Sequence, residues 1–376
     1  MFISILLTVI TFLVVLSILV LIHEGGHFLM AKRAGIKVDE FGLGYPPRLW
    51  SKKIGETIYS INLLPLGGFV RLRGEEYTTE ELKSLNKSPG AFYAKSKLAR
   101  TGVIVAGVIA NFLLAIVCFS TYYSITGIPM SKQTEKVIVL AVTPGTPAAN
   151  AGIKEGQVIE AIDGKLITTT DELINTTKEM KGKEITLMVD GQDLLVTPRS
   201  DVPDGEGPLG VAITNEEIIM KKYPIYKMIP LGINEGFKEA IGWGRLILGS
   251  LGKMVSDMLT LGKAPKDVAG PIGIVQVTSS VVKLGILPTI QFMGILSVNL
   301  AVMNVLPFPA LDGGRLAFII YEAIARRKPK PEFERWINAA GMTALLILIG
   351  LVTIGDIRRI ITTTTIIEKI RGVLPF

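Results

Sequence analysis

Long apolar blocks at both ends of the chain constrain its fold more than any other feature. The first runs from Phe2 to about Ala31, and its stretch to Ile22 carries no charge. That length suffices to cross a bilayer of roughly 30 Å at 1.5 Å per residue. Similar blocks follow at Gly102 to Ser124, at Ile290 to about Ile320 with an interruption, and at Ile337 to Ile354. They predict a membrane protein with about four spanning helices.

Composition and charge agree with a membrane protein. The 376 residues are 49% hydrophobic, with a mean hydropathy of +0.46 and a formal charge of +7. The basic residues cluster beside the apolar blocks, which predicts membrane topology and no binding of nucleic acid. The positive-inside rule puts the two basic connections in the cytoplasm, and therefore both termini and the polar middle region outside. No small-residue cleavage site follows the first block, so we expect it to stay in the mature protein.

The polar segments between the blocks show other patterns. Lys52 to Arg73 alternates apolar and polar residues, which predicts a β-hairpin at the membrane, with a plain cytoplasmic loop as the alternative. Short strands, turns and one capped helix between about Lys136 and Ile213 predict a compact α+β domain. Glu235 to Leu261 is apolar but repeatedly charged, so we expect a helix along the outer interface and not a fifth span.

The predicted fold is therefore a membrane α-helical bundle with the active site inside it, a membrane-associated β-hairpin and an inserted α+β domain. Its segments are 1–34 (first transmembrane helix), 35–97 (cytoplasmic-side loop with the hairpin), 98–126 (second transmembrane helix), 134–215 (inserted domain), 222–285 (interfacial helices), 288–324 (third transmembrane segment), 335–358 (fourth transmembrane helix) and 359–376 (C-terminal tail).

The only two histidines of the chain, His23 and His27, stand four residues apart in the sequence HEGGH. On a helix both imidazoles project from one face and can bind one metal ion, with Glu24 beside the first to accept a proton from water at the metal. Such a motif arises by chance in soluble helices. Within an apolar helix, however, three ionisable residues are costly unless they function, which favours a metal site. Haem is disfavoured because two histidines one turn apart cannot occupy opposite axial positions of one iron, and the chain has no other histidine.

A catalytic zinc ion commonly takes three protein ligands and leaves a fourth position open. The chain has no third histidine, and Cys118 lies far from any motif, so a carboxylate is expected. Asp312 is the best candidate, because prolines and glycines in NVLPFPALDGGR break the third block around it. Its alternative role is a helix cap. Asn299 and Asn304 in the same block either hold an extended substrate backbone or join helices.

These parts predict Zn2+-dependent peptide hydrolysis. Zinc activates water and the scissile carbonyl, while Glu24 transfers the proton to the leaving amine. The edge of the predicted hairpin can accept a substrate as an extra strand and so expose its backbone.

Several stretches together resemble the site-2 protease family of intramembrane metalloproteases, in particular the bacterial group of the regulator of sigma-E protease. They are HEGGHFLMAKRAGIKVDEFGLG, INLLPLGGFVRLRGE, AFYAKSKLARTGVIVAGVIANFLLAI, VAGPIGI and SVNLAVMNVLPFPALDGGR, and they cover nearly the whole chain in family order.

The resemblance implies that His23, His27 and Asp312 bind zinc and that Glu24 is catalytic. It also implies a PDZ-like inserted domain outside the membrane and an active site near the cytoplasmic side of a bacterial inner membrane. The implied partners are membrane lipid and single-pass membrane proteins already cut by an upstream site-1 protease, such as anti-sigma factors, together with remnant signal peptides. The implied substrate-binding residues are Asn299, Asn304, Gly67, Gly68, Phe69, Val70 and Arg71.

Two departures from the family pattern matter. Gly25 stands where many relatives have a bulky residue, and the chain has room for only one PDZ-like domain. Two rival functions remain: a transporter or metal-ion channel that uses the same polar residues, and an inactive scaffold that recruits membrane partners. Neither explains a glutamate next to the first histidine together with an intact ligand set.

Overall fold

The computed structural model describes residues 2–75, 90–203, 206–261 and 270–373. The chain divides into two compact units. We name Met1–Ile125 with Ile225–Phe376 the membrane unit, and Thr126–Pro224 the inserted unit.

The elements follow one another along the chain, with a short 3-10 helix at Phe92–Ala94. They are α1 (Phe2–Arg33), β1 (Val38–Ile54), β2 (Thr57–Leu72), α2 (Lys97–Thr126), β3 (Ile128–Val142), α3 (Pro147–Asn150), β4 (Val158–Ile162), β5 (Lys165–Leu166), α4 (Thr170–Glu179), β6 (Ile185–Val189), β7 (Gln192–Val196), β8 (Val211–Lys221), α5 (Ile225–Leu261), α6 (Pro271–Leu284), α7 (Ile286–Val305), α8 (Asp312–Ala325) and α9 (Pro331–Val373).

Four helices of the described chain are long and apolar enough to cross a membrane, which confirms the predicted number. They cover Leu6–Arg33, Lys97–Thr126, Ile286–Val305 and Pro331–Arg359. The third is shorter than predicted, because the block from Ile290 to Ile320 divides into α7 and the separate helix α8. The protein is a multi-pass membrane protein. The predicted interfacial segment lies in α5, which is not among the four; its position at the interface stays a prediction.

The break between α7 and α8 positions Asp312 as the first residue of a new helix. Pro307 and Pro309 lack the backbone N–H that a continuing helix would need. The intervening loop folds back onto the start of α8, where Gly313 and Gly314 leave room for the carbonyl groups of Leu306 and Phe308. A Cβ atom at either glycine would overlap that backbone.

The sheet formed by β1 and β2 is larger than the predicted hairpin. Both strands bend, so that the beginning of β1 pairs on two sides: Glu40 pairs with Arg71 and with Ile58. The stretch 38–43 is therefore central, and 68–72 forms one edge of the sheet. The sequence did not predict 38–43 as a strand, because a strand paired on both sides, with a buried glutamate, shows no alternating pattern.

The inserted unit is a mixed α and β fold. Its sheet has the order β7-β6-β4-β3-β8, with β5 paired to β4, and its core is aliphatic. The predicted capped helix is present as α4: Thr169 and Glu172 form a reciprocal capping box. The unit extends beyond the predicted 134–215 because Ile128 at the start of β3 pairs with Lys221 at the end of β8.

Candidate metal centre

The two histidines lie together on the apolar helix α1. His23 and His27 are one turn apart, so their rings lie on the same face of the helix. They meet edge to face, with centroids 4.7 Å apart. Their Nε2 atoms are 3.2 Å apart, and each residue is 9% exposed. Helical geometry thus brings two nitrogen ligands to one point within a mostly apolar segment.

Small residues let α2 approach this face of α1 closely. A Cβ on Gly107 would overlap His27 Nε2 and would lie 2.9 Å from His23 Cε1. A Cβ on Gly26 would overlap the carbonyl oxygen of Ala106. The imidazoles therefore occupy the space that a side chain at position 107 would fill, and the site is built from both helices.

Asp312 completes the group from the other end of the chain. Its Oδ2 lies 3.1 Å from His23 Nε2 and 3.2 Å from His27 Nε2. The N-cap residue of α8 is Leu311, which makes no side-chain capping bond, and Asp312 is the first residue inside the helix. Oδ2 is buried and accepts no well-formed hydrogen bond from the described residues. The predicted alternative of a helix cap is thereby not supported.

These three atoms fit a zinc ion. They form a nearly equilateral triangle with sides of 3.1 to 3.2 Å. Tetrahedral zinc with bonds of about 2.0 to 2.1 Å to nitrogen and oxygen requires ligand atoms about 3.3 Å apart. Two imidazoles and one carboxylate are also a known catalytic donor set, and the otherwise unsatisfied Oδ2 is explained by a cation. Within the described chain this is the group of residues able to hold a metal.

Glu24 lies between the histidines in sequence and interacts electrostatically with both of them and with Asp312. It also faces the edge of the β1–β2 sheet. A Cβ on Gly68 would lie 3.6 Å from Glu24 Cγ and 2.9 Å from Val20 Cγ1. The absence of a side chain at Gly68 therefore lets the sheet edge run directly beside Glu24.

The other residues of the predicted edge, from Gly67 to Arg71, contact neighbouring parts of the sheet and of α1. Gly67 has a positive φ of 107°, and a Cβ there would lie 2.6 Å from the Tyr45 ring. Arg71 stacks over the Phe69 ring and lies 3.5 Å from the buried carboxylate of Glu40. Val70 packs against a buried hydrophobic cluster that includes Ala31 of α1.

Asn299 and Asn304 differ in their surroundings. Five residues along the helix α7 place them about 140° apart, so they project from different faces. Asn299 is exposed, whereas Asn304 is partly buried. In the described chain neither side chain makes a hydrogen bond. A substrate role for both stays a prediction.

Sequence reasoning missed the contribution of α2. Val103 bonds His27 through its carbonyl oxygen, Gly107 makes room for both rings, and Asn111 faces His23. An asparagine in the apolar block from Gly102 to Ser124 was an available signal.

Comparison with known proteins agrees with this geometry. The model of peptidase family M50 matches residues 11–348. A putative zinc metalloprotease of Clostridium perfringens is 35% identical over 92% of this chain and 97% of its own length. The zinc metalloprotease RasP of Geobacillus kaustophilus is 31% identical, covering 94% of this chain and 98% of RasP. The regulator of sigma-W protease RasP of Bacillus subtilis is 29% identical over 94% of this chain and 99% of its own.

The predicted family resemblance and the predicted zinc cofactor are thereby confirmed. Because the family model covers most of the chain and the His-His-Asp group can hold the metal, this protein belongs to peptidase family M50, the site-2 protease family of zinc metalloproteases.

Proposed function

We propose that the protein is an intramembrane zinc endopeptidase that cuts peptide bonds in the transmembrane segments of single-pass membrane proteins. This proposal rests on one observation: three ligand atoms converge beside Glu24. Glu24 and two of the ligands, His23 and His27, lie on α1, a helix apolar enough to span a membrane. His23, His27 and Asp312 would hold the zinc ion. When bound, zinc supplies Lewis-acid activation of water and of the scissile carbonyl.

Glu24 has the position of the general base. Its carboxylate takes a proton as water oxygen bonds to the carbonyl carbon, and it returns the proton to the nitrogen as the C–N bond breaks. The products are one new carboxyl and one new amino terminus. Gly107 and Gly26 serve the reaction indirectly, because they allow α2 to hold the histidine face of α1 in place.

The sheet edge 68–72 is the proposed substrate-binding strand. Arg73 N–H donates to Lys37 O, on the side of the central strand. Since successive N–H groups of a strand alternate in direction, those of Val70 and Leu72 point away from the sheet. The Leu72 N–H donates to Glu75 Oε2 at 3.4 Å, so the Val70 N–H is the donor offered to a substrate. A substrate unwound from its helix can pair there as an added strand and so pass beside Glu24 at Gly68.

The proposed sidedness follows the basic residues. Lys32 and Arg33 end α1, and His27 and His23 precede Arg33 by about 9 and 15 Å of helix. We infer an active site near the cytoplasmic face of a bacterial membrane, with the inserted unit, PDZ-like by sequence, outside. The name of the Bacillus subtilis relative, regulator of sigma-W protease, supports substrates in a sigma-factor pathway, such as anti-sigma factors. We further propose that an upstream site-1 protease cuts these substrates first.

The rival of a transporter or channel receives no support from the comparisons, since the relatives named here are zinc metalloproteases. The inactive scaffold is disfavoured by the complete set of ligand atoms and Glu24.

Cleavage of a single-pass reporter by the purified full-length protein tests the proposed activity. Glu24→Gln should lower kcat by about 10²- to 10⁴-fold while zinc content stays at the wild-type level, because a general base is lost but no ligand. A zinc chelator should also abolish cleavage. Glu56→Gln, at an exposed glutamate in the turn of the sheet, is the matched control. Product formation that survives both Glu24→Gln and the chelator would exclude the protease function.

The substrate strand has its own test. Val70→Pro removes an outward N–H from the edge beside Glu24, and kcat/KM for the reporter should fall at least tenfold. Ser51→Pro introduces proline on the opposite edge of the same sheet and should leave cleavage near the wild-type rate. Equal rates for both proline variants would rule out binding by strand addition at this edge.

A further inference from the structure

One face of α2 lies against the two imidazoles. Val103, Gly107 and Asn111 follow one another at intervals of four residues, so they lie on the same face of the helix. Gly107 provides the gap that the rings fill. Val103 and Asn111, one turn to either side, each face one Nδ1 atom.

The main chain of α2 fixes the first imidazole. His27 Nδ1 lies 2.8 Å from the carbonyl oxygen of Val103, in a buried contact. A carbonyl can only accept, so Nδ1 carries the proton and donates it. His27 Nε2, which faces Asp312, is therefore left with its lone pair for a metal.

Among the residues that the structure describes, no backbone carbonyl faces Nδ1 of the second imidazole, His23, in this way. His23 Nε2 also faces Asp312, so its proton likewise belongs on Nδ1. Opposite Nδ1, at 3.4 Å, stands the side-chain amide nitrogen of Asn111, which is 0% exposed. Two donors cannot bond, and 3.4 Å exceeds the usual hydrogen-bond length of about 2.9 Å. Asn111 Oδ1 has no hydrogen-bond partner within the described chain.

A half-turn of the amide exchanges its oxygen and nitrogen, which have nearly the same shape. Oδ1 then faces the His23 Nδ1–H as an acceptor. Histidine ligands of metals almost always donate their second N–H to such an acceptor, which fixes the ring and raises its basicity.

We propose that Asn111 is a positioning residue of the metal centre, whose side-chain oxygen accepts the Nδ1 proton of His23 and orients Nε2 toward the ion. This inference rests on the proposed function, since it takes His23 as a zinc ligand. Asn111 and the Val103 carbonyl then form a pair of acceptors on α2, one for each histidine.

Helix packing alone does not account for the Asn111 side chain. The bond that joins α7 to α2 here runs from Ser297 Oγ to the backbone oxygen of Asn111, at 2.7 Å. Ser297 is fully buried and provides a matched control, because Ser297→Ala removes an interhelical hydrogen bond next to the same residue without touching His23.

The test is the zinc dissociation constant of the full-length protein in detergent, measured by competition with a chromogenic chelator. Asn111→Leu removes the acceptor and should weaken zinc binding about 10- to 100-fold. Asn111→Asp keeps an acceptor and cannot donate, so its affinity should stay within about threefold of wild type or increase. Ser297→Ala should match wild type. Cobalt(II) in place of zinc should show an altered visible spectrum in Asn111→Leu alone.

Wild-type affinity in a folded Asn111→Leu variant would overturn the proposal, and so would tenfold weaker binding by Asn111→Asp. If Asn111→Leu does not fold, the comparison of Asn111→Asp with wild type decides alone. Failure of the proposed function gives a different result: the wild-type protein would bind no stoichiometric zinc, or His23→Ala would bind it as well as wild type.

Discussion

The membrane unit and the inserted unit bury polar groups in different ways. In the described part of the inserted unit the buried polar residues are Thr146 and Thr177, and each donates to a nearby backbone carbonyl. All other buried polar residues that the structure describes lie in the membrane unit. Among them are charged or ligand-forming side chains: His23, His27, Glu40, Arg100, Glu322 and Asp356.

The difference shows which polar burial serves the fold and which serves the reaction. Most buried charges of the membrane unit have specific partners: Arg100 meets Glu322 at 2.7 Å, and Asp356 accepts from the Gly273 N–H at 2.9 Å. At the metal centre, by contrast, Asp312 Oδ2 has no hydrogen-bond donor among the described residues. A buried carboxylate oxygen that the protein itself does not satisfy, beside two histidine nitrogens, points to a cation from outside.

Loss of a ligand should give the largest effect. Asp312→Asn keeps the shape of the side chain but removes its charge, so zinc should be lost and cleavage should fall to the uncatalysed background. Metal analysis of the purified protein checks this directly. Asp193→Asn, at an exposed position of the inserted unit, is the control. Full zinc occupancy in Asp312→Asn would remove this residue from the ligand set.

The second-largest effect should come from breaking a buried ion pair. Glu322→Gln leaves Arg100 buried and uncompensated, which should lower the free energy of unfolding by about 3 to 5 kcal/mol. Denaturant titration in detergent measures it. Glu235→Gln disrupts the pair with Lys238, whose side chain is 62% exposed, and should cost less than about 1 kcal/mol. Similar losses for both variants would contradict the distinction between buried and exposed pairs.

Two glycines near the centre should respond in opposite ways. Gly107→Ala forces a methyl group onto the imidazoles and should weaken zinc binding at least tenfold, as a misplaced ligand does. A Cβ on Gly25 meets no atom within 4 Å. Gly25→Ala should therefore keep zinc affinity and stabilise α1 by up to about 1 kcal/mol. Weakened zinc binding in Gly25→Ala would show that this departure from the family pattern has a function.

The smallest effect is expected in the inserted unit. Thr169→Ala removes the cap of α4 and should destabilise that helix by about 1 kcal/mol, seen as faster hydrogen exchange over residues 170–179 of the full-length protein. Zinc content should not change, and a loss of zinc would contradict the separation of the two units.

The same cap should depend on pH. Hydrogen bonds from the backbone and hydroxyl of Thr168 lower the pKa of the Glu172 carboxyl. Because the pKa is lower in the folded state, this stabilisation is present at neutral pH and is lost as pH falls through the lowered pKa. The protection factors over α4, which correct for the slower intrinsic exchange at low pH, should therefore fall at acidic pH, whereas those of Glu172→Gln should stay constant.

Local geometry explains what could be predicted from the sequence. The spacing of His23 and His27 fixes their common face on any helix, and apolar length fixes the spanning helices. Asp312 followed from the ligand types that zinc requires and from the prolines around it. The capping box of α4 was likewise a local pattern.

Tertiary packing explains what could not be predicted. Which face of α2 meets the histidines depends on the approach allowed by Gly26 and Gly107, and within α2 the one sequence signal for that face is Asn111 in an apolar block. The strand 38–43 is central because it pairs with 58–61 on one side and with 68–72 on the other, and both pairings are tertiary contacts. Likewise, the different surroundings of Asn299 and Asn304 follow from the packing of α7.

The origin of Asp312 at the start of α8 has a consequence for synthesis of the protein. The ribosome makes HEGGH within the first helix, whereas Asp312 follows only after the inserted unit, α5, α6 and α7 have been made. A nascent chain therefore carries two imidazoles and a glutamate but an incomplete ligand set. The complete set of zinc ligands can therefore form only late in translation, once α8 has been made.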